Sequence, residues 1–261
     1  MPNYHAVTFE RHASRRWLRK PGYAFAAQEA VVSLVALELP RAMISLPIAL
    51  TQRGESYEPA AILSLQPGKG LFVAQSGSWA GDYIPSAFRA YPFRLAKTEG
   101  SQIVLCIDED SGALREGSQG NRFFEDDGQP AKATLDVLNS LKSIEQSRQT
   151  TAVACAALQK HQLIQPWPVT TKTGTGEKQV AGLFNIDETA LNKLSGEALQ
   201  ELAQTGALMI AYCQLLSMQH LPMLGQMAEA HAKAEQNLAA NGAPDLDFFS
   251  KNGTISFAGL I

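Results

Sequence analysis

Between Leu71 and Phe93 the chain reads LFVAQSGSWAGDYIPSAFRAYPF, and Phe72, Trp79, Tyr83, Phe88, Tyr91 and Phe93 all fall inside that stretch. Gly77, Gly81, Pro85 and Pro92 punctuate it, so no single helix or strand can carry all six rings. Each glycine or proline sets a turn, and large rings bury more surface than any other side chains. The stretch therefore predicts a shaped aromatic corner against which the remaining elements pack.

The flanking residues read as a small sheet. Three short apolar runs, Pro47 to Thr51, Ala60 to Leu65 and Leu71 to Ala74, are separated by the turn sequences RGES and QPGKG, which predicts an antiparallel meander. Phe93 to Lys97 and Gln102 to Ile107 form a second strand pair, joined across Glu99-Gly100. Upstream, Val7 and Phe9 alternate as a short strand and Pro21-Gly22 breaks the chain. Val35, Leu39, Met43 and Leu46 then recur at helical spacing behind a cap at Ser33. Pro40 kinks that helix, with Glu38 and Arg41 on its exposed side. An acidic, glycine-rich loop runs from Asp108 to Gln129.

After Pro130 the character changes to helix. Leu135, Leu138, Leu141 and Ile144 keep an apolar stripe that Val153, Ala156, Ala157 and Leu158 resume, before Pro166-Trp167-Pro168 stops it. Val169 to Lys172 and Val180 to Ile186 read as strands around a TGTGEK hairpin loop. Asp187 and Ser195 cap two helices, Gly206 ends the second, and an apolar helix (Ala207 to His220) leads into an alanine-rich one (Met223 to Asn241). The fold class is α+β, a mostly antiparallel sheet from the N-terminal half with helices from the C-terminal half packed on it. One domain is expected over residues 1–242, sheet-rich over 1–129 and helix-rich over 130–242, with a loosely held tail over 243–261.

Charge narrows the partners. With 22 basic and 25 acidic residues the formal net charge is −3, so there is no electrostatic footprint for nucleic acid. The local basic run Arg11, Arg15, Arg16, Arg19 and Lys20 reads as a solvated segment. Cys106, Cys155 and Cys213 are widely spaced in apolar surroundings, which fits buried free thiols in a reducing compartment. The N-terminal residues lack the apolar core of a signal peptide, and the most apolar run, Ala207 to Met218, is too short to cross a bilayer. A cytoplasmic chain without membrane insertion is the expectation, with the apolar helix packing internally or in a homodimer.

No motif defines a reaction. His5, His12, His161, His220 and His231 include no pair at ligand spacing on one helix face, and Asp108-Glu109-Asp110 lacks the remaining ligands of a calcium loop and reads as an exposed turn. TGTGEK is followed by a strand rather than opening a helix, so it is not a phosphate loop, and no GxSxG is present. No metal and no cofactor are expected. Trp79, Tyr83, Arg89 and Tyr91 are the candidate ligand-binding residues, because rings stack on a ligand and arginine pairs with a carboxylate or phosphate. The same residues also suit an aromatic core. His12, beside Glu10 and Arg11, joins the candidates as the one histidine in a charged cluster.

These segments carry a family resemblance. ERH at Glu10 to His12, YAFA at Tyr23 to Ala26, ALELPRA at Ala36 to Ala42 followed by PIAL, YIPSAFRAYPF, CID at Cys106 to Asp108, and FNIDETALNKLSGEALQELAQTGALMIAYCQLLSMQHL together resemble the bacterial SapC family, from about Tyr4 to Leu221. The resemblance implies a cytoplasmic protein encoded near flavin-dependent tryptophan-halogenase-like proteins, cupin-like proteins and TonB-dependent receptors, with a family name drawn from a surface-layer locus. It assigns no catalytic residues. The expected function is a non-catalytic binding or accessory protein whose aromatic corner recognises a small molecule, peptide or partner protein. A modifying enzyme would require Glu10, His12, Arg89 and Asp108 to converge on one pocket, and a surface-layer assembly protein is the third alternative.

Overall fold

The computed structural model describes residues 2–240 apart from 20, 21, 99, 174 and 175. The tail expected at 243–261, the Pro21 break, Glu99 and the centre of the TGTGEK loop lie outside the described residues. The first half of the chain forms β1 (Tyr4–Ala6), α1 (Phe9–His12), β2 (Arg16–Trp17), β3 (Val31–Ser33), α2 (Leu39–Ala42), β4 (Ile48–Arg53), β5 (Ser56–Ile62), α3 (Ser86–Ala90), β6 (Phe93–Lys97), β7 (Ile103–Asp108), β8 (Leu114–Arg115) and β9 (Asn121–Arg122). The second half forms α4 (Lys132–Lys160), β10 (Ile164–Pro166), β11 (Thr170–Thr173), β12 (Gly176–Gln179), β13 (Leu183–Ile186), α5 (Glu188–Leu191), α6 (Gly196–Gln204), α7 (Ala207–Ser217) and α8 (Leu221–Ala240). The fold is α+β. Among the described residues no helix is long and apolar enough to cross a membrane.

Every strand pairing among the described residues is antiparallel. A five-stranded sheet has the order β10-β13-β4-β5-β3, and a three-stranded one the order β1-β7-β6. Short β8, β2 and β9 form a third sheet and β11-β12 a separate hairpin. In the large sheet Ile48, Ala49 and Leu50 are buried in succession, as are Ala60, Ala61 and Ile62. Successive strand residues point to opposite faces, so both faces of the sheet centre are covered.

The predicted meander is only partly present. Its first two runs pair as β4 and β5 through a turn at Gly54, but Leu71 to Ala74 contributes no strand, only an isolated bridge from Val73 to Trp79. The places beside β4 and β5 go instead to β13 and β3. The expected strand at Val7 and Phe9 moves upstream to β1, and Phe9 begins α1. No helix runs from Ser33: β-branched Val31 and Val32 pair with β5, and the Ser33 hydroxyl donates to Glu58 at 2.6 Å rather than capping. Pro40 kinks nothing, because it lies in the first turn of α2, where its missing N–H has no partner to lose. The C-terminal caps lie where the sequence puts them: Asp187 accepts from Ala190 N–H, Ser195 from Ala198 N–H, and Gly206 takes a left-handed φ of 76° between α6 and α7.

Two apolar cores lie side by side. The larger gathers the five-stranded sheet, the aromatic corner and residues of α4, α6 and α7, including Phe72, Leu158, Leu202 and Ile210. The smaller holds Trp17, Phe93, Leu105, Ile107, Phe123 and Leu141. Helix α4 is 29 residues long and serves both, with Leu141 in the smaller core and Ala154, Cys155 and Leu158 in the larger. All three cysteines are buried and free, and burial pushes the Cys155 thiol up to about 12. Gln214 of α7 is wholly buried and stitches two strands to the helix, accepting from Ile186 N–H at 2.9 Å and donating to Ile48 C=O.

Candidate functional site

Where α4 passes from one core to the other, it leaves a cleft of about 780 Å³ opposite α3 and the turn before α2. Ala133, Val137, Ser140, Leu141 and Ile144 supply one wall, at the three- and four-residue spacing of a single helix face. Tyr83, Ser86, Arg89 and Tyr91 from the aromatic stretch form the opposite wall, with Glu38 and Arg41 beside them. Trp17 and Phe93 of the smaller core also line it. A volume of this size suits a small molecule.

Glu38 holds the second wall together. It ends a 3-10 turn, Ala36–Glu38, and is only 4% exposed, against the expectation that it faces solvent. Its carboxylate accepts from Val35 N–H at 3.1 Å, from the Tyr83 hydroxyl at 2.8 Å, from Ser86 N–H at 2.8 Å and from the Ser86 hydroxyl at 2.9 Å. Four donors converging on two oxygens are what a buried carboxylate requires. The turn is fixed from the other side by α4, since Ala36 N–H donates to Thr151 Oγ1 at 2.7 Å and Leu37 N–H to Ser147 Oγ at 3.0 Å. That is why two hydroxyl side chains are buried within a helix whose other buried residues are mostly apolar. Burial first, and then the adjacent Glu38, raise the Tyr83 phenol well above its usual value.

The structure divides the residues expected at the site. Tyr83, Arg89 and Tyr91 line the cleft. Arg89 is exposed at the rim, its Nη2 3.3 Å from the Tyr83 hydroxyl and its guanidinium 5.4 Å from the centre of that ring. Trp79 does not line the cleft: its ring stacks on Phe72 with centroids 5.4 Å apart, and its indole N–H donates to Tyr83 C=O at 2.9 Å. It supports the wall from behind, and Gly81 makes room, since a Cβ there would lie 3.0 Å from both Phe72 and the indole nitrogen. Tyr91 stacks on Phe25 at 4.0 Å and donates to Asp108 Oδ2 at 2.9 Å.

His12 and Asp108 lie elsewhere. Asp108 is buried, not an exposed turn residue, and also accepts from Asn3 N–H and Asp110 N–H. His12 is fully buried beside Phe123, with Nε2 3.3 Å from Glu109 Oε1. Glu109 receives Arg11 through two contacts and lies 3.5 Å from Arg15, so part of the basic run is engaged rather than solvated. Of Glu10, His12, Arg89 and Asp108, Arg89 alone lines the cleft. Sequence reasoning missed Trp17, Arg19, Glu38, Arg41 and the α4 face. Glu38 left no signal: it accepts from Val35 N–H at capping-box spacing, but valine has no side-chain oxygen with which to complete the motif that a sequence would show.

The family model for SapC matches residues 7–224. The chain belongs to the SapC family. Both walls of the cleft lie inside the SapC match. No curated protein and no solved structure shows detectable similarity to this SapC chain.

Two predictions follow from these contacts. Tyr83→Phe removes one donor from Glu38 and is expected to cost about 1.5–3 kcal/mol in urea unfolding. Glu38→Leu strips the acceptor from four donors and should cost more than Tyr83→Phe; equal costs would contradict the hub. The second concerns acid. The Arg11 hydrogen bond, above all, holds the Glu109 carboxyl at about 2 against an ordinary 4.5, so the stability it contributes is complete above pH 4.5 and is lost as pH falls toward 2. Burial also holds His12 below its ordinary 6.5, so the unfolded chain takes up a proton there first as pH drops. The urea midpoint should therefore fall on the acid side, and Glu109→Gln should lower it at pH 7 while flattening its decline between pH 4.5 and 3. Parallel curves would refute the assignment.

Proposed function

We propose that this SapC chain is a non-catalytic binding protein that takes a small molecule into the cleft between α3 and α4. The observation that carries the reading is a cleft of about 780 Å³ whose far wall is fixed in advance by the Glu38 hydrogen bonds. A wall already held in place loses little freedom on binding, which favours affinity. Glu38 itself is committed to four donors, and its neighbours Tyr83 and Ser86 are committed to it, so these polar groups shape the cleft rather than attack a substrate. The convergence that an enzyme reading needs is not found for Glu10, His12 and Asp108, which do not line the cleft.

Native mass spectrometry of the chain purified from its own cells tests this. Ser140 is exposed on the cleft face of α4, so Ser140→Trp fills the space without disturbing either core. Wild type is expected to carry an added mass of small-molecule size that Ser140→Trp loses at unchanged thermal stability. An added mass retained in full by Ser140→Trp, or none on wild type together with no amide shifts at Ala90 and Val137 against a small-molecule library, would overturn the reading.

A further inference from the structure

We infer that the ligand of this cleft is an organic acid: an apolar body seated on α4 and the smaller core, with its carboxylate, phosphate or sulfonate held by arginines at the rim. The inference rests on the small-molecule reading above and adds the chemical class. Three arginines line the cleft, Arg19, Arg41 and Arg89, and all are exposed at its edge. Among the described residues none of the three has an ion-pair partner, and the one hydrogen bond made by these side chains is Arg89 to the Tyr83 hydroxyl. The two carboxylates of the lining are already occupied. Glu38 is saturated by its four donors, and Asp136 is bridged to Lys132 at 2.8 Å. Cationic charge is therefore in excess at the rim, and arginine is the side chain whose planar fork matches an oxyanion.

A second, independent observation concerns the floor. Trp17 lines the same cleft and is 7% exposed, so its ring adds apolar surface to the floor. Around it the surface is apolar, with Phe93, Val137, Leu141 and Ile144. Acceptor atoms are wanted at the rim, and hydrocarbon on the floor. A neutral hydrocarbon guest leaves the arginines unanswered, and a bare inorganic anion leaves the apolar floor unfilled.

A matched pair of fluorescent probes separates the terms. 8-Anilinonaphthalene-1-sulfonate and N-phenyl-1-naphthylamine share one aromatic body, and only the first carries an anion. Wild type is expected to bind the sulfonate about tenfold or more tighter than the neutral amine, the advantage of one well-placed charge pair. The double variant Arg41→Gln/Arg89→Gln should bring the two within about twofold by weakening the sulfonate alone, and Ser140→Trp should abolish both. Equal affinities in wild type, unchanged in the arginine variant yet lost in Ser140→Trp, would overturn the acid assignment and leave an apolar binding cleft. Absence of binding by both probes, or binding that Ser140→Trp leaves intact, would overturn the acid assignment and count against the small-molecule reading as well.

Discussion

The buried carboxylate of Glu38 is the constraint on which the cleft depends. A charge taken out of water is tolerated only when hydrogen bonds replace its hydration, and here they come from Val35, Tyr83 and Ser86, segments far apart in sequence. Satisfying that one group brings Tyr83, in the middle of the aromatic stretch, and the start of α3 against the Ala36–Glu38 turn. The turn in turn depends on Ser147 and Thr151 of α4 for its own N–H groups. The two walls are thus tied to each other through the Ala36–Glu38 turn.

That division of labour along α4 explains the lining of the cleft. Its C-terminal half buries Ala154, Cys155 and Leu158 in the larger core, and its N-terminal half packs Leu141 against Phe93 and Phe123. Helix α4 also meets α3, and the cleft lies beside that contact. Val137 and Ile144, packed against the edge of the smaller core, stay half-buried, and the arginines that also line the cleft stay at the rim. The geometry offers hydrocarbon and cationic charge together, which is the surface complementary to an amphipathic anion. The SapC match covers all of it.

Much of this was legible in the sequence where local chemistry decides the outcome. The helix caps at Asp187 and Ser195, the β4-β5 turn, the β6-β7 pair and the existence of a long helix after Pro130 follow from residues a few positions apart, whereas its stop does not, since α4 ends at Lys160 and β10 takes Ile164–Pro166. The aromatic corner was also visible, but which ring faces a cavity was not. Trp79 and Tyr83 are four residues apart, yet one is stacked against Phe72 while the other reaches Glu38, a choice made by partners elsewhere in the chain. Glu38 was misread because a charged residue two places before a proline looks solvent-facing until its donors, forty-five and forty-eight residues downstream, are known. Trp17 and Arg41 were invisible for the same reason: they meet the cleft through tertiary packing, which no periodicity reports.

The most direct test of the account is a structure of the chain purified from the cells that make it, at a resolution that reveals bound small molecules. An ordered molecule is expected between α3 and α4, with acceptor atoms within hydrogen-bond distance of Arg41 or Arg89 and with Glu38 still bonded to Tyr83 and Ser86. A structure in which Leu141 and Ile144 close directly onto Tyr83 and Arg89, leaving no space between the walls, would contradict it.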